Sequence, residues 1–154
     1  MSDIIPDIRI LIETRKYIFS HVNELSESQL LHIPEKFKTN ILWNIGHLVA
    51  TQQILHYFLS GLPPLMKEDS IKIFRKGSKP PVDSGVLDVQ EVFDSFIEFP
   101  QVLADDYGNS RFSSFRAYKT SVGVTLNNIE DAISFNNYHE GVHAGIIQSI
   151  MKFI

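Results

Sequence analysis

With 154 residues, 44% of them hydrophobic and 21% charged, the chain is long enough to bury a core and reads most simply as one globular domain over residues 1–154. Its 14 basic against 18 acidic residues leave a net charge of -4, no footprint for a phosphate backbone, so no nucleic acid is expected as a partner. The absence of cysteine excludes disulfides, thiolate ligands and a cysteine nucleophile, which leaves histidine and carboxylate as the site chemistry.

The N-terminal Met1-Ser2-Asp3 is acidic where a secretory signal is basic, and no uninterrupted apolar stretch follows, so the expected location is cytoplasmic. Between Asp3 and Leu25, Ile4, Ile8, Leu11, Ile12, Ile18, Phe19 and Val22 recur at helical spacing, with Asp7, Arg9, Glu13, Arg15 and Lys16 on the other side. The pattern predicts an amphipathic first helix entered at Pro6. Ser26-Glu27-Ser28-Gln29 caps a short helical turn that Pro34 ends.

Asn40 suits the N-cap of a second helix, whose strip of Asn44, His47, Leu48, Thr51, Leu55, Phe58 and Leu59 runs until Gly61 and Pro63-Pro64 stop it. This is the most apolar long segment, yet Asn44, His47, Thr51, Gln52, Gln53 and His56 make it too polar for a lipid-facing span, so no membrane is expected. His56, nine residues after His47, falls about half a turn away and reads as a surface or satisfied side chain. His21 and His32 read as structural or solvated.

Residues 61–87 hold Gly61, Pro63, Pro64, Gly77, Pro80, Pro81 and Gly85, interrupted by the apolar Ile71-Lys72-Ile73-Phe74, and read as one long loop. Asp88 then opens a third helix through Val89, Val92, Phe93, Phe96 and Leu103, with Pro100 predicting a kink or break near Phe99. From Asp106 to Thr125 a loop is expected, with a short extended piece around Ser121 to Thr125. The last helix carries Ile129, Ile133, Asn136, His139, Val142, His143, Ile146, Ile147 and Ile150 on one broad face, locally loosened at Asn136-Asn137. Four helical patterns without a convincing strand pair predict an all-α four-helix bundle, with long loops between helices 2 and 3 and between helices 3 and 4.

The chemistry concentrates in His139-Glu140-Gly141-Val142-His143. Residues four apart on a helix project from one face, so both imidazoles can turn to a single point and form half of a tetrahedral metal site. The string also matches the HExxH signature of zinc peptidases. Such an enzyme needs a third ligand after the motif, and the 11 residues beyond His143 contain no His, Asp or Glu. His47 is the only histidine elsewhere on an internal helical strip, and becomes the third ligand. Glu140 is the nearest candidate base, although at ~100° from His139 it is equally well an interhelix carboxylate. Asn44, one turn before His47, can orient a ligand ring, and Trp43 packs rather than reacts.

Trp43-Asn44-Ile45-Gly46-His47-Leu48, followed far downstream by His139-Glu140-Gly141-Val142-His143-Ala144-Gly145-Ile146-Ile147, resembles the DinB-like superfamily, which includes the YfiT-like thiol transferases. Leu25 to Leu30 with Pro34, Gly77-Ser78-Lys79-Pro80 and Tyr118 to Gly123 extend the similarity over almost the whole chain. The resemblance implies a four-helix bundle, often a homodimer, holding one divalent metal ion on three histidines that map onto His47, His139 and His143. It also implies a metal-dependent hydrolase, or a transferase of a low-molecular-weight thiol onto small-molecule electrophiles. The family often carries Gln soon after the second histidine of the pair, whereas here Ile146 and Ile147 stand there and Gln148 follows.

Three neutral imidazoles leave at least one open coordination position, where a divalent ion lowers the pKa of a bound water to ~7 or deprotonates a thiol. Imidazole suits Zn, Ni, Cu and Fe, with Zn or Ni the expected ion. The competing class is a non-catalytic, metal-stabilised helical binding protein. A cavity lined by the 62–87 and 106–125 loops on the open side of the site separates the two, because a purely structural ion is sealed by packing.

Overall fold

The computed structural model describes residues 5–85 and 87–154. Helix α1 spans Pro6–Val22, and Pro6 suits its first turn because its missing N–H has no intrahelical partner there. The expected contribution of Asp3 and Ile4 lies outside the described residues. Ser26 and Gln29 form a reciprocal capping box at α2, Glu27–Leu31. Asn40 caps α3, Ile41–Gln52, by accepting from the Trp43 N–H at 2.8 Å, and α3 runs on into a π segment, Gln53–Phe58. Gly61, at φ 72°, ends it in a backbone conformation that side chains with a Cβ avoid.

The stretch expected to be one long loop contains a helix, α4, Glu68–Phe74. Two carboxylates, Glu68 and Asp69, favour its positive end, and the buried Phe74 ring fixes its other end on α3. Gly46 permits that approach, since a Cβ there would run into the Phe74 ring. Helix α5, Val89–Gly108, is capped by the Asp88 carboxylate on the Gln90 and Glu91 N–H groups.

The expected break near Phe99 does not occur, because α5 continues through Pro100 to Gly108. Proline cannot donate to the carbonyl four residues back, that of Phe96, and Arg15 Nη1 donates to it instead at 3.1 Å. Nor is 106–125 all loop: α5 extends into it, and two short strands, β1 (Tyr118–Lys119) and β2 (Thr125–Leu126), pair antiparallel. Most of the expected extended piece is the turn between them, with Gly123 at φ 88°. Helix α6, Ile129–Met151, runs unbroken past Asn136-Asn137, where Asn137 Nδ2 donates to the Asp7 carbonyl of α1 at 2.9 Å.

Apart from that strand pair, the described residues are all-α. Helix α1 packs on α5 and α6, and α3 packs on the same two, so the four long helices enclose the core. Ile45, Leu48, Val49, Phe74, Phe96 and Ile147 fill one end, and Ile8, Leu11, Leu103 and Ile133 the other. No helix among the described residues is long and apolar enough to cross a membrane.

Three side chains sit opposite to their expected faces. Arg15, assigned to the polar side of α1, is 1% exposed, and the reason is charge pairing with Glu140, also 1% exposed, across 2.7 Å. Val142, assigned to the inner face of α6, is 44% exposed, because the buried strip passes through Asn136, Glu140 and Ile147 instead. His56 is fully buried rather than on the surface, and neither ring nitrogen has a hydrogen-bond partner among the described residues. Burial, with the positive charge of Arg15 nearby, pushes its pKa down to about 3, the Ala132 backbone opposing only in part. The half-turn separation from His47 assumed a continuous α-helix, and the π segment, with more residues per turn, does not keep that phase.

Candidate metal centre

Helix α3 supplies His47 and α6 supplies His139 and His143, and one ring nitrogen of each lies within 4.8 Å of the others. The ring centroids are 4.5 to 5.0 Å apart. His47 Nε2 and His139 Nε2 approach to 3.2 Å. Two nitrogens each ~2.0–2.1 Å from one tetrahedral ion stand about 3.3 Å apart, so this spacing fits a shared metal.

The neighbours of two rings fix which nitrogen is free. His47 Nδ1 lies 2.8 Å from the Phe74 carbonyl, which can only accept, so Nδ1 carries the proton and Nε2 the lone pair. Asn44 Nδ2 donates to the Asn40 carbonyl at 2.7 Å and to Thr39 Oγ1 at 2.9 Å, which turns Asn44 Oδ1 toward His143 Nδ1, 2.8 Å away. That oxygen also only accepts, so His143 presents Nε2 as a lone pair. His139 Nδ1 is buried without a hydrogen-bond partner among the described residues. The Trp43 indole stacks on His47 at 4.6 Å and 9°, and its N–H donates to Ser78 Oγ at 2.9 Å.

All three imidazoles are held neutral. Burial lowers the His47 pKa, with Lys76 adding to the effect, while the Phe74 carbonyl and the Glu140 charge oppose it. Burial lowers His139 to about 3, helped by His143, His47, Arg15 and Lys76 in that order, and burial followed by His47 lowers His143 to about 4. Neutral imidazole is the form that ligates a metal, so the donor set fits a divalent ion.

Asn44→Ala removes the acceptor that orients His143. Metal affinity is expected to fall about 10- to 100-fold, read by competition against a chromophoric chelator. Unchanged affinity would mean that packing alone orients the ring.

Glu140 faces the bundle interior. Its Oε1 accepts from Arg15 Nη2 at 2.7 Å and its Oε2 from Arg15 Nε at 3.2 Å. On the other side, a cavity of about 380 Å³ opens against His47 and His139. Its walls include Lys76 from the stretch between α3 and α5, and Arg116, Tyr118, Thr120, Ser121 and Val122 from the stretch between α5 and α6. Glu140 is not among its lining residues.

Residues 10–147 of the 154 match the family model of the DinB superfamily. The chain belongs to the DinB superfamily. No curated protein matches it. For this DinB-superfamily chain, the structure brings together the three histidines singled out by their positions on helices, and sets Asn44 against His143 as expected of an orienting residue. Sequence reasoning missed Arg15, Lys76, Arg116 and the Phe74 carbonyl. Arg15 had a signal, since it continues the three-and-four stepping of Ile8, Leu11, Ile12, Ile18 and Val22. The other three depend on how loops fold back, which no periodicity encodes.

Proposed function

We propose that this protein is a divalent-metal-dependent enzyme, a hydrolase or a small-thiol transferase, acting on a small molecule held in the cavity beside the three histidines. The observation that carries the proposal is that His47 and His139 are at once members of the candidate ligand set and part of the cavity wall. A sealed structural site has no such open side.

His47, His139 and His143 would hold the ion, His47 and His143 through Nε2. When bound, a divalent ion supplies Lewis acidity at an open position, which activates a water or a thiol. The protein's own groups do the rest. The Phe74 carbonyl and Asn44 fix the His47 and His143 tautomers, and Trp43 clamps the His47 ring. Ile54, Leu55, Phe58 and Phe135 line the cavity with apolar surface, which limits water around the reacting group. Glu140, whose two oxygens accept guanidinium N–H groups, acts in this reading as an interhelix anchor and a fixed negative charge near His47, not as the proton acceptor.

The test is a screen of metal-loaded protein against a thiol with an alkylating electrophile, and against simple esters and amides, with His47→Ala as the blank. Turnover in one class, lost in the blank and on chelation, is the expected result. Full metal occupancy with no turnover in any class would favour the non-catalytic, metal-stabilised binding protein.

A further inference from the structure

The net charge of the chain is -4, yet the cavity beside the histidines is lined by two cations, Lys76 and Arg116, and by no carboxylate. Neither cation makes an ion pair among the described residues. Arg116 is nevertheless fixed in place: its backbone N–H donates to the Leu59 carbonyl at 2.7 Å, and its guanidinium lies over the Phe58 ring, 5.1 Å from the centroid. A cation over an aromatic face is attracted by the ring quadrupole, which holds this guanidinium at the wall. Lys76 follows Phe74 by two residues, so the segment that orients His47 also sets this ammonium at the cavity wall.

Much of the remaining wall is apolar. Of the 11 exposed large hydrophobic side chains among the described residues, six line this one cavity: Ile54, Phe58, Tyr118, Val122, Tyr138 and Val142. Exposed apolar surface gathered at one concavity marks a ligand site, and a volume of about 380 Å³ suits a small molecule.

We infer that the cavity takes a small amphipathic anion, its negative group held by Lys76 and Arg116 and its apolar body lying against Ile54, Phe58, Tyr138 and Val142. The inference names a substrate class for the metal-dependent reading and rests on that reading for the chemistry, but the binding step itself needs no metal. The two cations select charge, the apolar wall supplies affinity, and the histidines stand at the boundary of the same cavity, where a bond of the bound molecule is presented to the ligand set.

The test compares 1-octanesulfonate with octyl methyl sulfone, a neutral molecule of nearly the same shape, by calorimetric titration. A sulfonate is a poor metal ligand, so its preference reports on the cations. The sulfonate is expected to bind about tenfold more tightly than the sulfone, with the preference shrinking as salt is added. In a Lys76→Gln/Arg116→Gln variant, whose substituted side chains are exposed, the ratio should fall to near one while sulfone affinity is retained. The same ratio is expected after dialysis against a chelator. If the preference persists there and the protein as purified holds no metal, the anion site stands and the metal-dependent reading falls. Equal affinities for the two probes, a preference that survives the double variant, or one that disappears only on chelation would each overturn the inference.

Discussion

Protein purified without chelator is expected to carry about one divalent ion per chain, and His47→Ala, His139→Ala and His143→Ala are each expected to lose it. Removing one of three donors should weaken binding by ~1000-fold or more, beyond the ~10- to 100-fold of an outer-sphere change such as Asn44→Ala. Metal analysis on the three variants, with circular dichroism to check helix content, reads the effect. Occupancy equal to that of the unsubstituted protein would remove the site.

The acid limb of this behaviour has a definite sign. His139 is held down to about 3 and His143 to about 4, so both stay neutral well below the ~6.5 at which a free imidazole protonates. Metal should therefore be retained as pH falls from 7 to ~5, where unperturbed imidazoles would release it. For the metal-free protein the linkage runs the other way. The unfolded chain takes up protons first, at ~6.5, so stability falls as pH drops from there toward the folded-state values. His56, at about 3, contributes to the same loss.

The second large effect belongs to Arg15 and Glu140. Arg15 on α1 reaches Glu140 on α6, the Phe96 carbonyl on α5 at 3.1 Å and the Leu48 carbonyl on α3 at 3.2 Å, so one guanidinium ties together all four long helices. Its central carbon also lies over the Phe96 ring, 4.8 Å from the centroid. Removing either partner leaves a charge buried without compensation, and Glu140→Ala should cost about 3–5 kcal/mol in urea denaturation. Arg15→Ala should cost at least as much, since it also strips the donors from the Phe96 and Leu48 carbonyls. Arg15→Met with Glu140→Leu should cost less than the sum of the single changes, because an apolar pair leaves no orphaned charge. A loss below ~1 kcal/mol in both single variants would show that water reaches the pair.

What could be read in the chain, and what could not, divides along the range of the interactions. Local rules located the caps at Ser26 and Asn40, the start of a helix at Asp88 and the all-α class, because a cap or a helical stripe is set within a few residues. They also marked His47, His139 and His143, since an i, i+4 pair and an inward strip are both local facts, and the superfamily match over residues 10–147 agrees with the resemblance those motifs carry. Local rules went wrong where a distant group compensated a local fault. Pro100 was expected to kink or break α5; the helix is not broken, and Arg15, 85 positions earlier, supplies the missing donor.

Face assignment failed for the same reason. Arg15 and Glu140 are polar by type and buried by partnership, and although Arg15 keeps the step of the α1 stripe, the pairing spans 125 positions, so no local rule names its partner. Sequence alone thus determined the helical class and the three imidazoles that can share an ion. Only the tertiary structure decided which imidazole nitrogens are free, that the carboxylate beside the first histidine faces a guanidinium, and that the open side of the site is apolar and cationic. Those outcomes depend on the Phe74 carbonyl, Asn44, Arg15, Lys76 and Arg116 meeting across helices and returning loops, where burial energy and not sequence spacing sets which groups touch.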